Sequence, residues 1–188
     1  MKIRSLLCMT VAAVSALLVA CGGGGVVPGT GVQVRALGSD FTSRKAVSYA
    51  PYRTANRDTE VVTPANVKQD LTLLAAGGFK LIRLFDSSDS MAKVVLQVIK
   101  DNSLDIKVML GAWIASGNDT FNQAEIQRTI ALANTYSDIV LAVSVGNETM
   151  VSWSFNPVSP ATMAGYIKTV RNAIRQPVTT DDNWAFFA

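Results

Sequence analysis

The chain has 188 residues, of which 49% are hydrophobic and 16% are charged, with 17 basic and 14 acidic side chains, two cysteines and no histidine. This composition is typical of a globular protein with one domain. Without histidine the protein cannot use a Ser-His-Asp or Cys-His triad, and it lacks the commonest metal ligand. No metal site and no cofactor are therefore predicted, and any catalysis must rest on carboxylates.

The N-terminus has the pattern of a secretory signal peptide. Lys2 and Arg4 precede an apolar run that ends at Leu18-Val19-Ala20-Cys21. The run has about 15 residues, fewer than the roughly 20 that a membrane-spanning helix needs. Its last four residues resemble the bacterial lipobox, which implies cleavage before Cys21 and attachment of lipid to the Cys21 sulfur. We predict a signal peptide over residues 1–20 and export of the protein to the bacterial cell envelope. A lipid anchor would hold the protein in a membrane, with the domain facing the periplasm or the cell surface. A plain signal peptide without lipid attachment is the alternative.

Cleavage at this point would change the charge and the cysteine content of the mature chain. Removing Lys2 and Arg4 lowers the formal net charge from +3 to +1, so no nucleic-acid partner is predicted. Cys21 would be the one cysteine left, which excludes an internal disulfide. The glycine-rich stretch that follows Cys21 lacks the apolar area to offset its own ordering entropy. We predict a tether over residues 21–44 and one domain over residues 45–188.

Short apolar strands alternate with one-sided helices from residue 46 onward. The predicted strands are 46–49, 81–85, 106–110, 139–145 and one that begins near 177. Two of the predicted helices begin at Thr63-Pro64 and Ser159-Pro160, where a capping side chain precedes a first-turn proline. The apolar positions that recur at helical spacing are Val67, Leu71, Leu74; Met91, Val94, Val95, Val98, Ile99; Ile126, Ile130, Ala133; and Met163, Ile167, Val170, Ile174.

This alternation predicts an α/β fold with a parallel sheet covered by helices, either a doubly wound sheet or a (β/α)8 barrel of the TIM type. No Gly-x-Gly-x-x-Gly follows the first strand, so the dinucleotide-binding form of the open sheet has no support. Polar and aromatic residues follow the strand ends, as in barrel active sites.

The chain is too short for a whole barrel. One strand with its helix averages 33 residues, so eight such units would need about 264 residues, whereas 143 residues run from 46 to 188. The sequence therefore predicts the N-terminal half of a barrel, with about five strands and four helices. It is either a fragment of a longer chain, one of two copies that assemble, or a smaller open sheet.

The segment Val143–Glu148 is the most informative motif, because a buried strand delivers Asn147 and Glu148 together to the end of the sheet. A glycosidase needs a carboxylic acid that protonates the leaving glycosidic oxygen, and a neighbouring amide can bind the sugar 2-hydroxyl. The same pair is also common as a helix N-cap followed by a first-turn acid. The spacing alone leaves both interpretations open.

Several motifs in the same order along the chain resemble glycoside hydrolase family 17. They are Val145-Gly146-Asn147-Glu148, Ser48-Tyr49-Ala50-Pro51-Tyr52-Arg53, Ile82-Arg83-Leu84-Phe85-Asp86, Val151 to Pro157, and Gln176-Pro177-Val178-Thr179-Thr180 through Trp184. The likeness covers residues 46 to 188. It implies a (β/α)8 retaining β-1,3-glucanase, with bacterial relatives that act as glucan transglycosylases, and a β-glucan polysaccharide or oligosaccharide as the partner.

The resemblance implies roles for individual residues. Glu148 would be the general acid/base, Asn147 its neighbour on the 2-hydroxyl, and Arg83 a guanidinium beneath the site; Arg83 in a structural salt bridge is the alternative. The aromatic candidates for sugar stacking, each equally open to a core-filling role, are Tyr49, Tyr52, Trp113, Trp153 and Trp184. Asp86 and Asp182 are candidates for binding hydroxyl groups.

The resemblance lacks one catalytic part. Retaining hydrolysis needs a second carboxylate as nucleophile, which the family supplies from strand seven, whereas the predicted strands end at five. The other glutamates are Glu60, in a polar loop, and Glu125, which follows Asn122 in an apparent capping box. We expect an incomplete chain without turnover of its own. A non-catalytic glucan-binding lipoprotein of the envelope and a β-glucan transglycosylase are the alternatives.

Overall fold

The structure is a computed structural model that describes residues 33–186. The predicted signal peptide over 1–20, the lipid site at Cys21 and the glycine-rich start of the tether lie outside these residues. None of the described helices combines the length and the hydropathy that crossing a bilayer would require.

Five strands alternate with helices, as the sequence predicts. The strands are β1 Lys45–Ser48, β2 Phe79–Arg83, β3 Lys107–Ala112, β4 Val140–Asn147 and β5 Val178–Asp181. The helices are α1 Ser39–Thr42, α2 Pro64–Ala76, α3 Ala92–Asp101, α4 Asp119–Thr135 and α5 Pro160–Ala173, and a short 3-10 helix spans Trp184–Phe186. The four helices between the strands are those predicted, and α1 precedes the first strand.

All five strands are parallel and lie in the order β1-β2-β3-β4-β5. Each new strand therefore adds to the same side of the sheet. A doubly wound sheet instead reverses its strand order at a switch point. The order confirms the predicted part of a barrel-type α/β fold, in which the helices cover one face of the sheet and the loops after the strands converge at one end.

Helix starts follow the predicted capping signals. The Thr63 hydroxyl accepts the Asn66 N–H at 3.2 Å, and the Ser159 hydroxyl accepts the Thr162 N–H at 3.1 Å. Because a proline follows each cap, the missing N–H costs no intrahelical bond. The predicted capping box at Asn122 and Glu125 is wrong: α4 is capped by Asn118, and both residues are buried within the helix.

The hydrophobic core lies between the sheet and helices α2 to α5. The predicted apolar stripes supply it, with Val67, Leu71, Val95, Ile99, Ile126, Met163 and Val170 at most 2% exposed. The strands contribute Ile82, Leu84, Val108, Leu110, Val140, Val143 and Val145, all fully buried. This burial holds each strand end, and the loop that follows it, in a defined place.

The sheet has two ends, which we call the rim and the base. The rim is the last residue of each strand with the following loop and first helical turn, which comprises 48–67, 83–95, 112–122, 147–163 and 181–186. The base is the opposite end, which comprises 33–46, 73–80, 98–108, 132–141 and 170–179.

Residues 33–44, which the sequence assigns to the tether, contact the domain at the base. The Arg35 guanidinium donates to the carbonyls of Ile174 at 2.7 Å, Gln176 at 3.1 Å and Arg171 at 2.9 Å. These are carbonyls at and after the C-terminus of α5, where a cation is favourable. The segment thus spans the base from β5 to β1, and the boundary between tether and domain at residue 44 stays a prediction.

An ion cluster joins this segment to the starts of β2 and β3. Asp105 accepts Lys80 Nζ at 2.8 Å and Arg44 NH1 at 2.8 Å, and Arg44 NH2 pairs with Asp40 at 2.7 Å. The hydrogen bonds from Lys80 and then Arg44 lower the pKa of Asp105 from 3.8 to about 2. The ionised carboxylate is therefore favoured in the folded state.

We predict that Asp105 contributes to acid sensitivity. A carboxylate with a lowered folded-state pKa stabilises the fold above its unfolded pKa, and this contribution is lost as the pH falls from about 4 through about 2. Denaturant titrations between these pH values should show a weaker acid dependence of the free energy of unfolding in Asp105→Asn than in the wild type. Asp138→Asn, another exposed acid at the base, is the control, and equal slopes in the two variants would contradict the prediction.

Candidate active site

The chain turns sharply where β4 meets the rim. Gly146 has φ +81°, and a Cβ at this position would lie 2.5 Å from Met163 Cε. Glu148 has φ +48°, which is uncommon for a residue with a side chain. The turn is held by the Glu148 N–H, which donates to the Asp181 carbonyl at 2.7 Å. As a result Asn147 is half-buried at the strand end and the Glu148 side chain is exposed.

Arg83 connects this turn to two other strands. From the end of β2, its NH2 donates to Asn147 Oδ1 at 2.6 Å and its NH1 pairs with Asp181 Oδ2 at 2.6 Å. The guanidinium also lies 4.6 Å from the centre of the Phe85 ring. Arg83 thus forms the structural salt bridge that was the alternative interpretation and also contacts Asn147. Its role beneath a catalytic site stays a prediction.

β3, which lies between β2 and β4, carries a glycine where the backbone after β2 approaches it. A Cβ on Gly111 of β3 would overlap the Leu84 carbonyl and the Phe85 backbone. Only glycine allows the end of β2 to lie this close over β3. The absence of a side chain at Gly111 therefore lets β2 deliver Arg83 and Phe85 toward the site.

A cleft of about 780 Å³ opens at the rim above β1 to β4. Four residues predicted for the site line it: Tyr52, Asp86, Trp113 and Asn147. The remaining lining is Ala50, Arg57, Asp58, Phe85, Ser88, Ser90, Met91, Phe121, Glu125 and Arg128. We call this space the rim cleft. Its volume and its mixture of aromatic rings and polar groups suit a small organic ligand.

The cleft side chains differ in their surroundings. Burial, and then the charge of Asp86, raises the pKa of Tyr52 above its ordinary value. Asp86 accepts the Ser88 N–H at 2.8 Å, which fixes the loop after β2. Trp113 is half-buried beside them.

Glu148 and Arg83 adjoin Asn147 but are not part of the lining of the rim cleft. Three more predicted site residues stand outside it, on the β4 and β5 side of the rim. Trp153 is 68% exposed and Trp184 is 77% exposed. Asp182 accepts the Met150 N–H at 2.8 Å, so it braces the loop after β4. Phe155, which the sequence analysis did not select, is 89% exposed in the same loop.

Tyr49 lies away from the cleft. It is 8% exposed within the core, and its hydroxyl donates to Asp70 Oδ2 of α2 at 3.0 Å. Burial is the first cause of its raised pKa, followed by the hydrogen bond to Asp70. Of the two roles considered for Tyr49, sugar stacking and core filling, its position agrees with core filling.

Two acids that matter to the site were missed from the sequence. Asp181 is the ion-pair partner of Arg83. Glu125 is 1% exposed and accepts the N–H groups of Ser87 at 2.6 Å and Trp113 at 3.1 Å. The signal for Glu125 was its place on the apolar stripe of α4, where an acid requires buried partners.

Within residues 33–186 no three acidic or cysteine side chains cluster as metal ligands.

We predict that Gly146 is required for the turn. Gly146→Ala places a side chain at positive φ, which costs about 1–2 kcal/mol, and it adds a contact with Met163. Thermal unfolding should show a lower melting temperature. Gly165→Ala is the matched control, because a Cβ there meets nothing within 4 Å inside α5 and should stabilise by up to about 1 kcal/mol. Equal effects of the two changes would contradict the prediction.

Comparison with known proteins agrees with this geometry. Residues 46–188 match the family model of the BtgE/BtgC glycoside hydrolase domain. The chain is similar to the crystal structure of an endo-laminarinase from Formosa Hel1_33_131, with a TM-score of 0.70, 26% identity, and coverage of 78% of this chain and 44% of that chain. It shares its fold with a glycosyl hydrolase family 2 member from Bacteroides cellulosilyticus DSM 14838, with a TM-score of 0.50, 17% identity, and coverage of 73% of this chain and 18% of that chain. No curated protein sequence matches.

The extent of these matches differs between the family and the individual structures. The chain spans less than half the length of either solved enzyme. The family model, in contrast, covers about three quarters of this chain. The chain therefore belongs to the BtgE/BtgC glycoside hydrolase domain family.

Proposed function

We propose that this domain binds β-1,3-glucan as part of a glycoside hydrolase of the family 17 type, with Glu148 as the general acid/base. The observation that carries the proposal is the Asn147–Glu148 pair at the end of β4, beside the rim cleft and tied to Arg83. The likeness to an endo-laminarinase at 26% identity supports β-1,3-glucan as the substrate class.

The contacts of Asn147 suit it to a sugar hydroxyl. Its Oδ1 accepts from Arg83, so the Nδ2 group is left as the donor of the amide. A donor fixed in this way binds the oxygen of a 2-hydroxyl, a contact that strengthens in the transition state of glycoside hydrolysis. Asn147 would therefore orient the ring whose glycosidic bond lies next to Glu148.

The role that we propose for Glu148 rests on the family resemblance and on its place beside Asn147 at the end of β4. Its carboxylic acid would donate a proton to the glycosidic oxygen as the bond from that oxygen to the anomeric carbon breaks. In a retaining reaction the resulting carboxylate then accepts a proton from water. An exposed side chain next to a half-buried amide can reach a bound polysaccharide from the solvent side.

Among the acids around this pair, Asp86 of the rim cleft accepts the Ser88 N–H at 2.8 Å, and three others also have partners. Retaining hydrolysis needs a second carboxylate about 5–5.5 Å from the acid. Asp181 is paired with Arg83, Asp182 accepts the Met150 N–H, and Glu125 is buried against Ser87 and Trp113. We therefore propose that this chain alone binds glucan without hydrolysing it. A non-catalytic glucan-binding role is the second candidate, and the same engaged carboxylates favour it.

We predict that the chain binds β-1,3-glucan oligosaccharides but does not hydrolyse them. Calorimetric titration of the full chain should detect laminarihexaose but not cellohexaose, and a reducing-end assay should detect no release of sugar. Glu148→Gln keeps the shape of the side chain, so the affinity for laminarihexaose should stay within about threefold of the wild type. Lack of binding would contradict the substrate class. Hydrolysis by the wild type that Glu148→Gln abolishes would confirm the acid/base role and contradict the absence of turnover.

We predict that Arg83 acts on the ligand through Asn147. Arg83→Lys cannot donate in two fixed directions, so the Asn147 amide is no longer held. Loss of a charge-assisted hydrogen bond costs about 1.5–3 kcal/mol, and the affinity for laminarihexaose should fall about tenfold. Arg53→Lys is the matched control, because Arg53 pairs with Asp70 at 2.5 Å on α2 and makes no contact with Asn147. Equal losses in the two variants would contradict this role.

A further inference from the structure

Charge is sorted between the two ends of the domain. The base carries eight basic and four acidic side chains, whereas the rim carries four basic and eight acidic ones. The net charges are therefore +4 at the base and −4 at the rim, although the described chain as a whole is nearly neutral. Composition alone conceals this separation, since the net charge of the chain is small.

Five basic residues at or just before the strand starts make up most of the base charge: Arg44, Lys45, Lys80, Lys107 and Arg175. Lys45, Lys80 and Arg175 are exposed. Arg44 and Lys80 both pair with Asp105, whereas no ion pair forms at Lys45 or Arg175 among the described residues. The base keeps its net charge of +4 after these pairs are counted.

Helix dipoles explain only part of this pattern. Cations in the last turn of a helix are stabilised by its C-terminal carbonyls, which accounts for Lys100, Arg171 and the Arg35 cap of α5. Lys45, Lys80 and Lys107 lie on strands, where no comparable dipole exists. Local contacts hold them instead: Lys45 Nζ lies 4.1 Å from the centre of the Phe79 ring, Lys80 pairs with Asp105, and Lys107 Nζ donates to the Asp138 carbonyl at 2.6 Å. These contacts leave the base with its net positive charge.

The N-terminal segment of the described chain also lies at the base. Arg171 NH2 donates to the Gln33 carbonyl, which holds the first described residue against α5. In the same segment Val34 and Leu37 are 47% and 44% exposed. Exposed apolar side chains beside basic ones are typical of surfaces that lie on a lipid interface.

We propose that the base docks on a lipid surface with anionic headgroups, and that the rim cleft then faces away from the membrane. The negative potential at the surface of an anionic membrane attracts the positively charged base and repels the negatively charged rim. The inference concerns a surface remote from Asn147 and Glu148 and does not depend on glucan binding. Docking in this orientation would present the cleft to a polysaccharide in the surrounding medium.

The test measures cosedimentation of the full chain with vesicles. Cys21→Ser is introduced throughout so that no lipid can be attached to this residue, and the N-terminal residues are otherwise identical in all samples. We expect stronger binding to phosphatidylglycerol-containing vesicles than to pure phosphatidylcholine vesicles. The preference should disappear in about 0.5 M salt, because exposed charges are then screened.

Two variants with the same change of net charge separate the base from the whole molecule. Lys45→Gln, Lys80→Gln and Arg175→Gln together remove three base cations and one ion pair, that of Lys80 with Asp105. Lys68→Gln, Lys93→Gln and Lys168→Gln together remove three exposed cations from helices outside the base and one ion pair, that of Lys93 with Asp89. Each base cation at an anionic surface is worth about fivefold in binding, so the first variant should lose at least about tenfold and the second should stay close to the parent.

Tryptophan emission provides an independent readout of orientation, because all three tryptophans of the chain, Trp113, Trp153 and Trp184, lie at the rim. Their emission should not shift when vesicles bind, and circular dichroism should show that both triple variants are folded. Equal losses in the two variants, or a blue shift on vesicle binding, would overturn the proposal. Retention on dextran sulfate without a preference for anionic vesicles would also overturn it, in favour of an anionic polymer as the partner.

Discussion

The guanidinium of Arg83 is the contact on which the site depends. It brings the end of β2 to Asn147 of β4 and Asp181 of β5. A planar cation with several fixed donors can satisfy an amide oxygen and a carboxylate at once. Without this contact the exposed Glu148 would follow an unsupported strand end, and its neighbouring amide would be free to rotate. Two glycines assist: Gly111 leaves room for the backbone at the end of β2, and Gly146 allows the turn at positive φ beside Met163 of α5.

The two halves of the rim are also joined through one asparagine. Asn156, in the loop after β4, accepts the Ser116 N–H at 2.5 Å and donates to the Ile114 carbonyl. Ser116 in turn donates its hydroxyl to the Pro157 carbonyl at 2.7 Å. These contacts connect the loop after β3, beside Trp113, to the loop that carries Trp153. The cleft and the exposed aromatic residues consequently form a continuous surface rather than independent loops.

Local signals predicted the elements well and the side-chain partners poorly. Thr63 and Ser159 precede helices for reasons contained in a few residues, so their positions could be predicted from the sequence. The family resemblance selected Tyr49 and Tyr52 together, but only Tyr52 reaches the cleft. Tyr49 belongs to the core because its hydroxyl donates a hydrogen bond to Asp70 of α2. Asp181 and Glu125 acquire their roles from residues 98 and 38 positions earlier in the chain. Such partners depend on strand order and register, which spacing along the chain does not specify.

The one-directional winding of the sheet has a consequence for how such a domain can diversify. Every strand begins at the base and ends at the rim, so each loop contributes to one end only. Insertions or replacements in the rim loops can alter ligand selectivity while the opposite end keeps its charges and packing. Conversely, the loops at the opposite end can change without disturbing Asn147 and Glu148. The two ends are thus encoded in separate stretches of chain and are open to independent evolutionary change.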